Sequence, residues 1–325
     1  MPTATHKRTR AAPLRVAIVT DQIGWHTRQL QAALRQRGAR GHCIDLADCR
    51  IDTSVSPHGL VLPGFGRTLP DAVLVRGIAG GSFEQVTRRL SVLHRLRDAG
   101  VVVYNDARAI ERSVDKGMTS LMLHAAGIPT PRTWVLESSV LAQALVERES
   151  AARRTLVLKP LFGSQGKDLA LVGWVDGQHV PMPALDGRYG SVAYLQRFVP
   201  ARSEPGFDWR VLVVAGRARS AMRRVSNHWV HNVAQGARCE ATPMTDSLAG
   251  AAEAATQALG LDYAGVDLMP SGRLDAVQVI EVNGVAAWFG LQRVTGFNIA
   301  RALVDDLLDR RLAGLPLHGP QGLTP

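Results

Sequence analysis

Residues Arg15–Thr20 read RVAIVT, an unbroken run of apolar, mostly β-branched side chains that stops at the turn-like Asp21-Gln22-Ile23-Gly24. A strand with no polar alternation is one buried on both faces. Leu30, Ala33 and Leu34 then recur at helical spacing as far as Gly38, and Cys43–Leu46 and Ala72–Val75 read as further strands. Buried strand, crossover helix and next strand together require a parallel sheet with helices packed on it. Phe83–Ala99 extends the pattern as an amphipathic helix, with Val86, Leu90, Leu93 and Leu96 on one stripe, and Val101–Tyr104 is the next strand. An α/β domain is therefore expected over 15–108, behind a polar, basic tail over 1–14 that reads as disordered.

The rest of the chain is patterned differently. A helix from about Ser113 to Gly127 is stopped by Pro129 and Pro131. Short strands follow at Thr133–Leu136, Thr155–Lys159, Leu169–Val172 and Val192–Phe198, with one helix at Leu141–Glu147, which suggests an α+β unit over 109–200. From Asp208 the strands become antiparallel: Arg210–Val214 and Arg217–Val225 hinge at Ala215-Gly216. The helix Ser247–Leu259 precedes a hairpin of Gly265–Met269 and Val277–Asn283 around Pro270-Ser271-Gly272, and a helix from about Asn298 to Leu312 closes a second α+β unit over 201–314. The tail 315–325 is rich in Pro and Gly.

Composition excludes several classes. The longest apolar runs fall far short of the roughly 20 residues that span a bilayer, and Met1–Ala12 has no apolar core of a signal peptide. A cytoplasmic protein with no membrane contact is expected. Cys43, Cys49 and Cys239 form no C-x-x-C pair and no disulfide framework. The net charge is +10, and nine of those charges fall within 1–155, which permits an anionic partner without identifying it. Aromatics make up only 5% and are not interleaved with basic residues, so nucleic acid is disfavoured.

The late hairpin carries the most specific chemistry. Asp267 stands on one strand, while Glu281 and Asn283, two residues apart, share a face of its partner. Glu281 interrupts an apolar run, and simple alternation sets it opposite Ile280. Three hard oxygen donors suit Mg2+ and disfavour zinc. Upstream, the buried strand Leu156–Lys159 runs into Gly163-Ser164-Gln165-Gly166, a loop able to wrap its N–H groups around phosphates beside a fixed positive charge. It is not a Walker A loop, which would need Gly at Leu161 and Ser or Thr at Asp168. The chain has four lysines against 34 arginines, and two of the four, Lys116 and Lys159, begin a helix and end a strand. A compact ammonium suits a phosphate met as a point charge. Asp208-Trp209-Arg210 begins one strand and Arg223-Arg224 ends its partner, so several guanidinium groups are expected in the same cleft, with Asn232 and Gln235-Gly236 as neutral donors nearby.

Taken in order, these segments resemble the RimK-like α-L-glutamate ligases of the ATP-grasp superfamily. The resemblance runs from Arg15 to about Leu312 through Ser113-Val114-Asp115-Lys116, Leu158-Lys159, Gly163–Gly166, Leu195-Gln196, Asp208–Val214, Asn232 with Gly236, Ala264–Asp267, Ile280–Asn283 and Thr295–Ala300. It implies an α/β N-terminal domain followed by α+β ATP-grasp domains, with ATP and Mg2+ or Mn2+ as cofactors. Lys116 and Lys159 would hold ATP phosphates, with Gly163, Ser164, Gln165 and Gly166 covering them. Gln196 would contact the nucleotide, and Arg197 and Phe198 would lie at the adenine-binding linker, where the family often has an acidic residue in place of Arg197, so that adenine recognition would rest on backbone groups. Asp208 would meet the ribose, and Arg223 and Asn232 would complete the nucleotide contacts. Asp267, Glu281 and Asn283 would be metal ligands, and Arg210 the catalytic residue that steadies the acyl-phosphate and the tetrahedral intermediate.

The implied function is ligation of an amino acid, L-glutamate in this family, to the carboxylate of a small molecule or cofactor, with release of ADP and phosphate. Protein C-terminal glutamylation and a non-catalytic nucleotide-binding or nucleic-acid-binding role are the alternatives; a homo-oligomer is compatible with the sequence. After Asn283 the family's Ser-Pro-Gly turn is replaced by Gly284-Val285-Ala286-Ala287-Trp288-Phe289-Gly290-Leu291-Gln292, and Val230 stands where an arginine is often found. These departures are similar to a branch linked to tetrahydromethanopterin or methylofuran. They imply a remodelled acceptor pocket, to which Arg76, Trp25 and His26 would contribute. No G-x-G-x-x-G follows the first strand, which argues against a dinucleotide oxidoreductase.

Overall fold

The computed structural model describes residues 12–54, 58–163, 165–272 and 276–313. The chain divides into one unit of 1–104 with 307–325 and another of 105–306. In the first, β1 (Arg15–Val19), α1 (Trp25–Gln36), β2 (Arg40–Ile44), β3 (Arg50–Ile51), β4 (Leu60–Val61), β5 (Ala72–Val75), α2 (Phe83–Asp98) and β6 (Val102–Tyr104) follow in order. The parallel sheet runs β2-β1-β5-β6. Val16 to Val19 and Ala72 to Val75 are fully buried, which is why neither strand alternates. Helix α1 buries Thr27, Leu30, Ala33 and Leu34, and α2 starts at a capping box between Ser82 and Gln85. The two-residue pair β3–β4 was not expected from the sequence; pieces so short carry no periodicity. Trp25 and His26 pack edge to face at 5.1 Å, and burial, with Arg76 adding, lowers the His26 imidazole to about 4.

The second unit begins with α3 (Ala107–Val114) and α4 (Lys116–Ala125), where the sequence suggested one helix from Ser113. Asp115 ends the first and caps the second, its Oδ1 accepting the Met118 N–H at 3.0 Å, so Lys116 becomes the first residue of a new helix. Next come β7 (Thr133–Leu136), α5 (Ser139–Ala151), β8 (Thr155–Lys159), β9 (Ala170–Val175), β10 (Gln178–Val180) and β11 (Ala193–Arg197), which form the central sheet β10-β9-β8-β11-β7. Leu156, Leu158, Val172, Ala193 and Leu195 turn one face of it onto Ala142, Leu145 and Val146 of α5.

The third sheet, β14-β13-β12-β15-β16, is antiparallel throughout: β12 (Gly206–Val214), β13 (Arg217–Ser226), β14 (Arg238–Ala241), β15 (Tyr263–Pro270) and β16 (Val277–Asn283). Helix α6 (Asp246–Leu259), capped by Thr245 and ended by Gly260 at φ +73°, covers one face. Leu248, Ala252, Ala255 and Leu259 of α6 meet Val211, Val213, Val266, Leu268, Val279 and Val282. Each fully buried Val or Leu contributes about 1.5–3 kcal/mol. Helices α7 (Phe289–Gln292) and α8 (Ile299–Asp305) follow. The fold is thus an α/β N-terminal domain followed by an α+β region built on two further sheets.

Asn105 pins the second unit together. Fully buried, it donates from Nδ2 to the Tyr263 and Gly284 carbonyls at 2.8 and 2.6 Å, and its Oδ1 accepts the Asp262 and Tyr263 N–H groups at 2.6 and 3.0 Å. Asn105→Ala leaves buried backbone groups without partners and should cost about 1–3 kcal/mol. Urea unfolding of the variant checks this, and an unchanged midpoint would contradict it.

Candidate functional site

Strand register sorts the third sheet into a greasy face and a charged one. Residues directly opposite each other in an antiparallel pair lie on the same face. The partners Met222–Arg210, Arg210–Asp267 and Asp267–Glu281 therefore form one continuous row across β13, β12, β15 and β16. A second row on that face holds Cys239, Arg224 and Asp208, and a third holds Leu212, Gly265 and Asn283. The opposite face is the one that α6 covers.

A bulge sits inside the site. Asp267 pairs with Glu281 while Leu268 pairs with Val279, so Ile280 has no partner in the register. Val277, Val279 and Val282 enter the core and Ile280 does not, which corrects the simple alternation expected for this strand. The bulge re-aims Glu281 onto the Asp267 face.

Asp267 is held by two arginines. Arg210 donates from Nε to Oδ1 at 2.6 Å and from Nη2 to Oδ2 at 2.7 Å, and Arg224 Nη2 lies 3.0 Å from Oδ2. Arg224 also grips Asp208 with two bonds, at 2.7 and 2.5 Å. Burial works against the charges of Asp267, Asp208 and Arg224. At Asp267 burial pushes the carboxyl up, but Arg210 and Arg224 outweigh it and hold the group below its usual range. At Asp208 burial lifts the carboxyl to about 6 despite Arg224. Burial also opposes the Arg224 charge, and the Asp267 and Asp208 carboxylates overcome it, so the guanidinium stays charged.

The central sheet presents its own charged face. Lys159, Tyr194 and Val135 share a row, with Val157, Gln196 and Thr133 in the next. Lys159 Nζ donates to Gln196 Oε1 at 2.7 Å, and the Gln196 amide donates on to Tyr194 Oη and Thr133 Oγ1 at 3.1 and 3.2 Å. Gln196 is thereby a buried strut for Lys159. Lys116 Nζ donates to the Gly163 carbonyl at 2.7 Å and lies 3.9 Å from Glu281 Oε1. Burial lowers the Lys116 ammonium, against the pull of Glu281 and Asp115. Both lysines and both carboxylates thus act on one another across the two sheets.

Burial brings the Lys159 ammonium down to about 8, with Glu281 opposing that shift and Lys116 adding to it. A polyphosphate bound beside it favours the protonated form. If Lys159 holds nucleotide phosphates, as the sequence leads one to expect, binding should take up protons between about pH 8 and 10, and affinity should fall as pH rises through 8. Calorimetric titration at pH 8.5 in two buffers of different ionisation enthalpy measures the uptake; equal heats in both would contradict the assignment.

One expected nucleotide contact is misplaced. Arg223 lies in the row with Trp209 and Glu240, on the face opposite Arg224; its guanidinium pairs with Glu240 at 3.0 Å and stacks 5.3 Å over Phe207. Adjacent strand residues cannot share a face, so Arg223-Arg224 contributes only Arg224. The Arg197 side chain turns away from the charged face in the same manner, which leaves only its backbone to serve the linker. It pairs with Leu156 on the α5 side of the central sheet and binds Glu149 at 3.0 Å. Asp208 has both oxygens engaged by Arg224, which leaves the expected ribose contact without support.

The glycine loop reaches Lys116 through Gly163 and the Asn232 turn through Gly166. Asn232 caps the turn Val233–Gln235 through Oδ1, and its Cβ lies 3.2 Å from where a Cβ on Gly166 would stand. Gly166, at φ +66°, is pressed against Val230, and Gln235 Nε2 donates to the Gln165 carbonyl at 3.3 Å. The glycine loop and the Asn232 turn are therefore in contact. Phe198 meets Trp229 edge to face at 5.9 Å. Ser164, residues 1–11 of the first tail and the tail 315–325 lie outside the described residues. Tyr194, Thr133, Trp229 and His231 went unassigned from sequence, and Arg224 was expected in the cleft without a role. His231 is 6% exposed, its Nε2 buried and without a partner among the described residues, and burial, with Arg224 adding, lowers its imidazole to about 4.

The donor set fits a hard divalent cation. Among the described residues no group of three or more His, Cys, Asp or Glu gathers in the manner of a metal cage. Two carboxylates and one amide oxygen instead offer the sparse site that Mg2+ prefers, with water and phosphate completing its shell. A carboxylate has about four acceptor positions, and three at Asp267 face arginine, which leaves one on Oδ1. Arg210 keeps its Nη1 group without a partner among the described residues, pointing away from the carboxylate that Nε and Nη2 hold. Among the described residues no helix is long and apolar enough to cross a membrane.

Comparison with known proteins gives consistent matches. The model of the RimK-like ATP-grasp domain matches residues 113–307, and that of the RimK pre-ATP-grasp domain matches 14–110. The tetrahydromethanopterin:alpha-L-glutamate ligase of Methanococcus maripaludis is 34% identical over 300 residues, covering 91% of this chain and 98% of that protein. The protein of the same name from Methanosarcina acetivorans is 28% identical over 324 residues, 89% of this chain and 97% of its own. A probable alpha-L-glutamate ligase of Teredinibacter turnerae is 28% identical over 295 residues, with 90% and 94% covered. Among solved structures, the ATP-grasp ligase PsnB with its minimal precursor superposes with a TM-score of 0.69 at 21% identity, covering 92% of this chain and 99% of that one. This last likeness concerns the fold alone.

Proposed function

The chain belongs to the RimK-like ATP-grasp family, and from that premise we propose that it joins L-glutamate to the carboxylate of a small molecule or cofactor through an acyl-phosphate. As an ATP-grasp ligase it forms an amide bond at the expense of ATP. The observation that carries the finer reading is the row Arg210–Asp267–Glu281 facing Lys116 and Lys159.

Each residue has a task in this reading. Lys159, braced by Gln196, and Lys116 bind the phosphates of ATP. A divalent cation, Mg2+ here and Mn2+ by the same donors, would be held by Asp267, Glu281 and Asn283 and would neutralise phosphate oxygens as an anionic carboxylate approaches. A carboxylate oxygen of the acceptor bonds to the γ-phosphorus and ADP leaves. The amine of glutamate then attacks the acyl carbon, and phosphate departs with that carboxylate oxygen. Arg210, kept in place by Asp267, offers Nη1 to the oxyanion of the second step, where one such donor is worth roughly 2.7–4 kcal/mol. Arg224 and Asp208 serve as positioning residues for Asp267. Domains over 15–108, 109–200 and 201–314 remain part of the reading.

The methanogen relatives direct the choice of acceptor to be tried. The protein is incubated with Mg–ATP, L-glutamate and reduced pterin or other small carboxylate cofactors, with ADP and product mass followed together. One ADP per glutamyl residue added is expected. ATP binding with no ADP from any acceptor would overturn the ligase assignment.

A further inference from the structure

Helix α7 occupies the segment that departs from the family's Ser-Pro-Gly turn, and it lies against the charged face of the third sheet. A Cβ at Gly290 would stand 2.7 Å from Cys239 Sγ and 3.8 Å from Met222 Cε. Met222 is the register partner of Arg210, and Cys239 that of Arg224. Helix α7 is thus a wall beside the Arg210–Asp267 clamp.

Arg293 follows that wall directly. It is exposed, its Cζ lies 5.8 Å over the Phe289 ring, and among the described residues it has no carboxylate partner. Arg210, Arg224 and Arg293 all act electrostatically on the Cys239 thiol, so the three guanidinium groups lie within electrostatic reach of it. Arg210 and Arg224 are neutralised by Asp267 and Asp208. Arg293 alone of the three is left with an unmatched fork of donors, the geometry suited to a carboxylate taken with two bonds. A ring beneath the guanidinium limits its motion without using any of its N–H groups.

We propose that Arg293 receives the side-chain carboxylate of the incoming amino acid and thereby selects a dicarboxylic amino acid over its neutral amide. The inference rests on the ligase reading above and adds a residue that chooses the amine substrate. It commits to the amino acid rather than the acceptor because α7 stands beside Arg210, where the amine must reach the acyl carbon.

The test is calorimetric binding of L-glutamate and L-glutamine to the full chain loaded with Mg–AMPPNP, so that no acceptor is needed. The wild type should bind glutamate more tightly than glutamine. Arg293→Met should weaken glutamate about 10- to 100-fold, the range for losing a hydrogen bond to a charged group. It should leave glutamine and Mg–AMPPNP binding within about twofold, and Arg293→Lys should restore part of the loss. Arg219 is the control, being exposed, 5.9 Å over Phe297 and likewise without a carboxylate partner among the described residues. Arg219→Met should keep the glutamate preference. Unchanged glutamate binding in Arg293→Met, equal loss in both variants, or a wild type that binds Mg–AMPPNP but not glutamate overturns the inference and leaves the ligase reading standing. A wild type that does not bind Mg–AMPPNP overturns both.

Discussion

Glu281→Ala is expected to abolish Mg2+-dependent turnover, by about 100-fold or more, while the protein stays folded. Loss of even an outer partner of a metal ligand commonly costs 10- to 100-fold, and Glu281 is assigned as a ligand itself. Its carboxylate is also the counter-charge that Lys116 faces at 3.9 Å and that supports the Lys159 ammonium. The same removal costs the fold little. The side chain is 32% exposed and its long ion pair is of the kind that contributes about 1 kcal/mol or less. Steady-state rates over a range of Mg2+, paired with urea unfolding, separate the two effects. Wild-type activity in this variant would rule out the metal site.

Arg224→Met is expected to cost about 3–5 kcal/mol of stability, the range for breaking a buried ion pair from one side. The side chain is 4% exposed and is the sole guanidinium on Asp208 among the described residues, whereas Asp267 keeps Arg210. That loss is a large part of the roughly 5–15 kcal/mol that holds a typical domain. Removing the stranded partner as well, in Arg224→Met with Asp208→Leu, should recover part of it, because two well-packed apolar groups avoid the desolvation of a lone carboxylate. Urea midpoints of the single and double variants decide the matter. A loss below about 1 kcal/mol in the single variant would show that the clamp is not structural.

How much of this was legible in the sequence depended on whether a feature was local. RVAIVT announces a doubly buried strand, and Asp267, Glu281 and Asn283 announce themselves by interrupting apolar runs. The bulge at Ile280 leaves no local mark, because it arises from register with Leu268 and Asp267. Strand alternation alone would have separated Arg223 from Arg224, and Arg197 from Gln196. The Asp208–Arg224 and Lys159–Gln196 partnerships join residues 16 and 37 positions apart and become visible only once strands are paired. Helix α7, four residues long with a glycine inside, is too short for any periodicity to reveal.

The central claim is that this charged face drives transfer of a phosphoryl group to a carboxylate, which an amine then displaces. With an acceptor that supports turnover, its carboxylate labelled with 18O, one labelled oxygen should appear in the inorganic phosphate released per amide formed. Label recovered in AMP, or retained entirely in the amide and free acceptor while phosphate stays unlabelled, would contradict it.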